Sequence, residues 1–269
     1  MTFLSIDNIS HLFFNKDSTT EALDSISFTM NEGEFISLLG PSGCGKSTLL
    51  NIIAGLINQT EGEVLLQGKR LRDQEHKIGY MLQQDYLFPW KTILDNVMLG
   101  PQIAKVRNEE IELEAMNLLE EVGLTGVEDK YPNSLSGGMR QRAALVRTLI
   151  NEPEILLLDE PFSALDYFTK LKLEDLVSKI LKTYQKTAIL VTHDIGEAIS
   201  MSDRIIVLDR QPGKIHQIFE VPIELRNERP FLCRRHSKYQ TIFEKVWGAM
   251  NVIEAGTATI ESGGRHETE

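Results

Sequence analysis

A glycine-rich segment near the start of the chain has the residue types needed to bind phosphate. It matches G-x-x-x-x-G-K-[S/T] at every fixed position and comprises Gly40, Pro41, Ser42, Gly43, Cys44, Gly45, Lys46 and Ser47, followed by Thr48. Glycines let the backbone curl so that several N–H groups point at one anion, and the helix that follows adds its dipole. We expect Lys46 to reach the β- and γ-phosphates of a nucleotide, and the Ser47 hydroxyl to bind Mg²⁺. Cys44 is interpreted as a small loop residue rather than a redox group.

Two adjacent carboxylates follow an apolar run further along the chain. Leu156-Leu157-Leu158 precedes Asp159 and Glu160. The carboxyl ends of parallel strands form the edge at which open α/β sheets bind ligands. We expect Asp159 to hold Mg²⁺, directly or through water, and Glu160 to orient or deprotonate an attacking water. Adjacent acids are also common in solvated turns, and the phosphate loop upstream favours the catalytic interpretation.

Alternating strands and helices would position these groups. Apolar patterns predict strands over residues 3–6, 22–28, 35–40, 155–160 and 187–193, the last three buried on both faces. Helical spacing predicts helices over residues 46–56, 111–122, 136–150 and 171–184, with Ser136 as the N-cap of the third. This alternation predicts an α/β fold with a mostly parallel sheet and crossover helices.

The pattern also suggests a division of the chain. Residues 1–83 and 151–215 are predicted to form a nucleotide-binding α/β core, and residues 84–150 an inserted helical subdomain. After Gly213 the sequence loses regular periodicity. Residues 216–269, the C-terminal extension, are therefore expected to be irregular and to end in a disordered tail from residue 256.

Composition excludes several classes of protein. The 269 residues include 28 Lys and Arg against 39 Asp and Glu, a net charge of −11, which argues against a protein that coats nucleic acid. Two cysteines cannot form a disulfide framework. No apolar run approaches the roughly 18–20 residues that cross a bilayer, and the N-terminus lacks signal-peptide features. We expect a soluble, cytoplasmic protein.

Further motifs carry a family resemblance. Leu135-Ser136-Gly137-Gly138-Met139-Arg140-Gln141, the signature motif, resembles the LSGGQ sequence of ATP-binding cassette (ABC) ATPases. Ser163-Ala164-Leu165-Asp166 resembles their D-loop, and Val191-Thr192-His193-Asp194 their switch-histidine motif. Gln83 resembles the Q-loop glutamine, and Phe13 the aromatic residue that stacks on adenine. The resemblance covers roughly residues 3–215 and implies a RecA-like core with an N-terminal antiparallel β subdomain.

The resemblance also implies roles for these residues. Ser136, Gly137, Gly138, Met139 and Asp166 would bind ATP held between two subunits of a homodimer. His193 would donate to the γ-phosphate, and Gln83 would touch both Mg²⁺ and the attacking water. Gln84 is the alternative to Gln83, and Phe14 the alternative to Phe13. Three departures from the family pattern are Met139 in place of Gln, Phe13 in place of the commoner Tyr or Trp, and Gly196, for which the sequence offers no reason.

Other features suggest which ABC protein this is. A single cassette without a long coiled-coil insertion or a membrane span resembles the ATPases of bacterial importers. Residues 87–97, and Asp209 to Gly213, resemble the corresponding segments of nitrate, sulfonate and taurine importers. This implies separate permease subunits that dock near Gln83 to Val97, a substrate-binding protein, and a peripheral location at the cytoplasmic face of the inner membrane, with no nucleic-acid partner. The alternatives are a soluble ABC-type ATPase of nucleic-acid maintenance and an exporter ATPase.

Overall fold

Strands and helices alternate along the chain in the computed structural model, which describes residues 2–16, 18–71, 78–163 and 165–263, with side chains as far as residue 255. The strands are β1 (Thr2–Phe14), β2 (Thr19–Asn31), β3 (Phe35–Leu39), β4 (Glu61–Leu66), β5 (Lys69–Arg70), β6 (Ile78–Met81), β7 (Ile155–Asp159), β8 (Thr187–Thr192), β9 (Arg204–Leu208) and β10 (Ile215–Glu220). The helices are α1 (Lys46–Ile53), α2 (Ile93–Val97), α3 (Leu99–Ile103), α4 (Glu109–Glu121), α5 (Gly137–Leu149), α6 (Tyr167–Thr183), α7 (Ile195–Met201), α8 (Ile223–Arg226), α9 (Pro230–Cys233) and α10 (Ser237–Gly263).

The contacts within the chain divide it into two units. Unit 1 contains residues 1–74 and 190–269, and unit 2 contains residues 75–189. The division falls inside β8. The helices α2 to α5 lie in unit 2, within the segment 84–150 that the sequence predicts to be helical.

Unit 1 contains an antiparallel sheet with the strand order β2-β1-β4-β5. It also contains three further hydrogen-bonded strands in the order β10-β9-β3. Of these, β3 and β9 are parallel, and β10 is antiparallel to β9. All five residues of β3 are buried, as the continuous apolar run predicts for a strand covered on both faces. This rigid strand ends at Leu39, immediately before the phosphate loop.

Unit 2 contains the parallel strands β6 and β7, in register from Ile78 opposite Ile155 to Met81 opposite Leu158. Parallel strands need a crossover connection, and here α2 to α5 are part of it. The helix α5 begins and ends within one residue of its predicted bounds, with Ser136 as its N-cap. The carboxyl end of β7 delivers Asp159.

Two helices differ from the prediction at one end. The helix α1 ends at Ile53 rather than near residue 56, because Gly55 takes a φ of +72° and turns the chain out of the helix. The helix α6 begins at Tyr167 rather than near residue 171, because the Asp166 side chain caps it four residues earlier.

The expectation for the C-terminal extension is wrong over residues 216–263. These residues form most of β10, then α8, α9 and α10. In α10, Ile242, Val246, Ala249 and Ile253 recur at helical spacing and are buried. The predicted tail is helical as far as Gly263, and residues 264–269 lie outside the described part of the chain.

Over the described residues, every helix is too short or too polar to cross a bilayer.

Candidate functional site

The phosphate loop of unit 1 leads into a helix whose N-terminus carries no side-chain cap. Gly45, the residue before α1, has a φ of +90° and no side-chain capping bond. By contrast, Ser136, Asp166 and Asp194 each accept a hydrogen bond from the backbone of the helix they begin. The first N–H groups of a helix have no partner within it. The N-terminus of α1 is therefore the one at which this loop can bind an anion with backbone donors.

The Lys46 ammonium lies within the loop to which it belongs. Its Nζ donates to Gly40 O at 2.7 Å and to Pro41 O at 2.9 Å, and only 6% of the residue is exposed. The side chain thus crosses the base of the loop, and its positive charge is held among backbone groups. A phosphate in this loop would meet both a fixed cation and the α1 dipole.

Close packing explains two of the glycines. A Cβ built on Gly40 would lie 2.7 Å from Cys44 Sγ and 2.8 Å from Leu208 O. A Cβ built on Gly45 would lie 2.6 Å from Leu23 Cδ2, and the φ of +90° is itself unfavourable for a side chain. The fold of the loop thus requires glycine at both positions.

Cys44 is a residue of this loop, and its side chain is fully buried. Burial raises the pKa of its thiol, although Lys46 acts in the opposite direction. A neutral thiol is a poor nucleophile and oxidises slowly. The structure supports the interpretation of Cys44 as a packing residue.

The two predicted carboxylates stand at the end of β7 in unit 2. Asp159 is the last residue of the strand, and its Oδ2 lies 3.5 Å from the Tyr80 hydroxyl, which donates to it. Burial, followed by the charge of Asp159, raises the pKa of Tyr80. Glu160 follows with a φ of +45°, a left-handed conformation that is uncommon outside glycine.

Gln83 meets Glu160 within unit 2. Its Nε2 lies 3.4 Å from Glu160 Oε2 and 3.3 Å from Ser163 Oγ, and Ser163 Oγ in turn donates to Glu160 O at 3.0 Å. The structure therefore brings together two of the three residues predicted to be catalytic. This contact is made by Gln83, and both Gln83 and its neighbour Gln84 are exposed.

Side chains from α5 hold the segment that carries Gln83. We call residues 82–92 the glutamine loop. Gln141 Nε2 donates to Gln83 O at 3.0 Å, and Arg147 donates to Asp85 O at 2.7 Å and to Tyr86 O at 2.8 Å. Arg140 Nε bonds Asp85 Oδ2 at 2.9 Å. The sequence indicated Arg140 and Gln141 only as members of the signature motif and gave no sign of the role of Arg147.

The glutamine loop is also fixed from within by Asn96. This side chain is fully buried in α2, accepts from Phe88 N at 2.7 Å, and donates to Phe88 O, Lys91 O and Thr92 O. These hydrogen bonds fix the backbone turn that carries Trp90, which is 70% exposed.

Replacing Asn96 by Ala is expected to lower the free energy of unfolding by about 3 kcal/mol, because the backbone groups that it satisfies lose their partner. Urea denaturation of the purified chain measures this. Asn133→Ala, at an exposed position of the same unit, is the control and should change stability by less than about 0.5 kcal/mol. A loss below about 1 kcal/mol in Asn96→Ala would contradict this role in fixing the turn.

The signature motif begins α5 in unit 2. Ser136 Oγ accepts from Met139 N at 3.4 Å, and Ser136 and Gly137 are exposed. Gly138 is buried, and a Cβ there would lie 2.6 Å from Thr169 Cγ2 of α6. The second glycine of the motif is thus needed for close packing, whereas the first leaves the helix N-terminus open.

Asp166 has a structural role as the N-cap of α6. Its Oδ1 accepts from Thr169 N at 3.1 Å. Hydrogen bonds from Thr169 lower the pKa of this carboxyl, so it stays ionised at the helix N-terminus. Ala164, the second residue of the predicted D-loop, lies outside the described residues.

His193 and Phe13 both lie in unit 1. His193 follows β8 and is exposed, and Asp194 after it caps α7 by accepting from Glu197 N at 3.1 Å. Phe13 is 39% exposed, against 72% for Phe14, and its ring packs edge-on against His11 with centroids 4.5 Å apart. Packing by His11 gives the Phe13 ring a fixed orientation. The phosphate loop belongs to the same unit, whereas Gln83, Asp159, Glu160 and Ser136 belong to unit 2.

The sequence matches known proteins over most of its length. The model of the family described as ABC transporter matches residues 23–163. The ABC transporter ATP-binding protein YtlC of Bacillus subtilis (strain 168) is 58% identical over 254 residues, which are 94% of this chain and 98% of YtlC. The chain belongs to the ABC transporter family.

One further relative and one solved structure support this family assignment. The aliphatic sulfonates import ATP-binding protein SsuB of Bacillus cereus is 40% identical over 244 residues, covering 90% of this chain and 94% of SsuB. The dimeric post-hydrolysis structure of the ATP-binding cassette MJ0796, bound to ADP and Pi, aligns with a TM-score of 0.70 at 35% identity. That alignment covers 81% of this chain and 99% of the MJ0796 chain. The predicted ABC fold is confirmed, and the chain is an ATPase of this family.

Proposed function

We propose that this chain is the ATP-hydrolysing subunit of an importer for a small anionic solute of the nitrate, sulfonate or taurine type. Two copies would form a homodimer beneath two separate permease subunits, at the cytoplasmic face of the membrane. A substrate-binding protein would deliver the solute to the permease. The name of the relative SsuB supports the sulfonate class, at 40% identity.

The phosphate loop supports the nucleotide-binding role. The open N-terminus of α1 and the Lys46 ammonium offer backbone donors and one cation to the phosphates of ATP. Gly40 to Gly45 shape the loop, and Ser47 and Thr48 occupy the first turn of α1. Phe13, oriented by His11, is the aromatic surface that we assign to adenine.

Oxygen donors support a magnesium ion as the cofactor. Ser47 offers a hydroxyl, Asp159 a carboxylate and Gln83 an amide oxygen, and such hard ligands suit Mg²⁺, which also takes ligands from substrate phosphates. When bound, the ion neutralises charge on the phosphate oxygens. The Tyr80 hydroxyl donates to Asp159 Oδ2. It thereby orients the carboxylate that we assign to the magnesium ion.

Hydrolysis requires a group that directs water to the γ-phosphate. We assign this role to Glu160 as the general base, and assign to Gln83 the positioning of the same water. Their separation of 3.4 Å lets one water contact both side chains. His193 would donate to the γ-phosphate and respond to its loss.

The signature motif would act on the partner subunit's nucleotide. Ser136 and Gly137 are exposed at the N-terminus of α5, where backbone donors and the helix dipole favour an anion. Gly138, Met139 and Asp166 complete the group that we assign to the dimer interface. ATP would then hold two copies together until hydrolysis removes the γ-phosphate.

The observation that carries this proposal is the contact of Gln83 with Glu160. The same glutamine loop exposes Leu82, Tyr86 and Trp90, which are 41%, 59% and 70% exposed. One short segment therefore joins the hydrolytic carboxylate to an apolar surface suited to a protein partner. We assign the surface of residues 82–97 to the permease.

Reconstitution of the transporter tests the whole proposal. The chain is combined in liposomes with permease subunits and a binding protein of this importer class, and ATP hydrolysis is measured with an alkanesulfonate, taurine or nitrate outside. Stimulation by one of these anions, together with its uptake, is the expected result. Stimulation by DNA without permease would indicate nucleic-acid maintenance, and solute efflux would indicate an exporter; either result contradicts the proposal.

Replacing Trp90 by Ala is expected to lower solute uptake at least tenfold, because exposed aromatic residues contribute much of the binding energy at protein interfaces. ATP binding and hydrolysis by the isolated chain should stay within about twofold of the unmodified chain. Trp247→Ala, at a 53% exposed tryptophan of α10, is the matched control and should leave uptake unchanged. Normal uptake by Trp90→Ala would remove the glutamine loop from the docking surface.

A further inference from the structure

The first turn of α7 lies against the C-terminal extension. Gly196, three residues after His193, is buried in this turn. A Cβ built on it would lie 3.2 Å from Tyr239 Oη and 3.6 Å from Arg234 Nε. A methyl group at this position would therefore press against the Tyr239 hydroxyl. This contact gives a physical reason for the glycine that sequence patterns leave unexplained.

The same turn fixes the residues on either side of His193. Asp194 Oδ1 caps α7 and lies 3.0 Å from the same Cβ position on Gly196. Asp194 N donates to Thr192 Oγ1 at 3.0 Å, and the Thr192 hydroxyl bonds the Glu197 carboxylate. A shift of the first turn of α7 would therefore move both neighbours of His193.

Apolar packing ties the whole of α7 to the extension. Every residue of α7 is buried. One core cluster joins β3, α7, β9 and the extension through Leu39, Ile195, Ala198, Ile199, Ile205, Val207, Phe219, Val221, Leu225, Cys233, Ile242, Val246, Ala249, Met250 and Ile253. The extension therefore supports α7 by packing, and Tyr239 Oη and Arg234 Nε lie beside the turn nearest His193.

We propose that Tyr239 and Arg234 are positioning residues for His193. They lie against Gly196 in the first turn of α7, and the Asp194 side chain that caps this turn belongs to the residue next to His193. The proposal rests on the role of His193 at the γ-phosphate given above. It assigns a function to the C-terminal extension, which is to keep the switch histidine in its productive direction.

The variant Tyr239→Phe tests this by removing one oxygen and leaving the ring. We expect kcat for ATP hydrolysis to fall about fivefold, since small misplacements of a reacting group are costly. The KM for ATP and the melting temperature should not change. Tyr184→Phe, which removes a hydroxyl bonded to Glu121 in unit 2, is the matched control and should keep normal kcat. An unchanged kcat in Tyr239→Phe, or an equal loss of kcat and melting temperature, would overturn the proposal.

A second pair of variants separates positioning from general damage. Gly196→Ala should lower kcat to a similar extent. Adding Tyr239→Phe should restore part of kcat, because it removes the Tyr239 oxygen that would lie 3.2 Å from the new methyl group. In a His193→Ala background, Tyr239→Phe should have no further effect on the slow single-turnover rate. If Tyr239→Phe lowered the single-turnover rate of the His193→Ala variant as much as it lowers that of the unmodified chain, Tyr239 would not act through His193. If His193→Ala alone left turnover normal, the role of His193 itself would fail, and this inference with it.

Discussion

Glu160→Gln is expected to lower ATP turnover at least about 100-fold while ATP affinity stays within about twofold. A general base contributes roughly 10²- to 10⁴-fold to such reactions, and an amide cannot accept the proton. The amide keeps the shape of the carboxylate and can still bond Gln83, so the site should stay assembled. Steady-state phosphate release and equilibrium nucleotide binding measure the two quantities.

The same variant should also stay dimeric in MgATP. Because ATP is no longer consumed, the closed dimer accumulates, and light scattering should give twice the mass of one chain. Glu120→Gln, at an exposed carboxylate of α4, is the matched control and should hydrolyse ATP normally. Turnover by Glu160→Gln within about threefold of normal would remove Glu160 as the base.

Lys46→Ala is expected to weaken ATP binding at least about 100-fold, a change of about 2.7 kcal/mol. The loss is large because only 6% of Lys46 is exposed, so the contact between its charge and a phosphate would be formed away from bulk water. Calorimetric titration with MgATP measures the dissociation constant. Lys69→Ala removes an exposed cation from the same unit and should leave the constant unchanged.

Loss of Lys46 also removes its bonds to Gly40 O and Pro41 O, so the loop itself could loosen. Lys46→Arg keeps a cation there and separates the two effects. Weak binding in Lys46→Ala with a normal melting temperature supports a direct contact with phosphate. A dissociation constant within about threefold of normal in folded Lys46→Ala would contradict the assignment.

Much of the fold could be predicted because its signals are local. The buried strand before the phosphate loop, the cap at Ser136 and the glycine after α4 each depend on neighbouring residues. The same holds for Asp159 and Glu160, which follow a run of four apolar residues in β7. In such segments the chemistry and the element that presents it lie within a few residues of one another.

The remaining features depend on partners far apart in the chain. Gln141 and Arg147 bond backbone atoms of the glutamine loop about 60 residues earlier, and no local pattern specifies that pairing. Gly196 lies against Tyr239 and Arg234, which belong to α10 and the turn before it and are about 40 residues later in the chain. The C-terminal extension is different, because the helical spacing of Ile242, Val246 and Ile253 was present in the sequence and was not recognised.

The composition of unit 1 also has a consequence for biosynthesis. Its two parts, residues 1–74 and 190–269, come from opposite ends of the chain, whereas unit 2 is one continuous stretch. Domains made of continuous chain can fold as the ribosome releases them. The apolar cluster that includes Leu39, at the entrance to the phosphate loop, is completed only when Ile253 has emerged. The nascent protein therefore acquires its finished nucleotide-binding unit last, after nearly all of the polypeptide has been made.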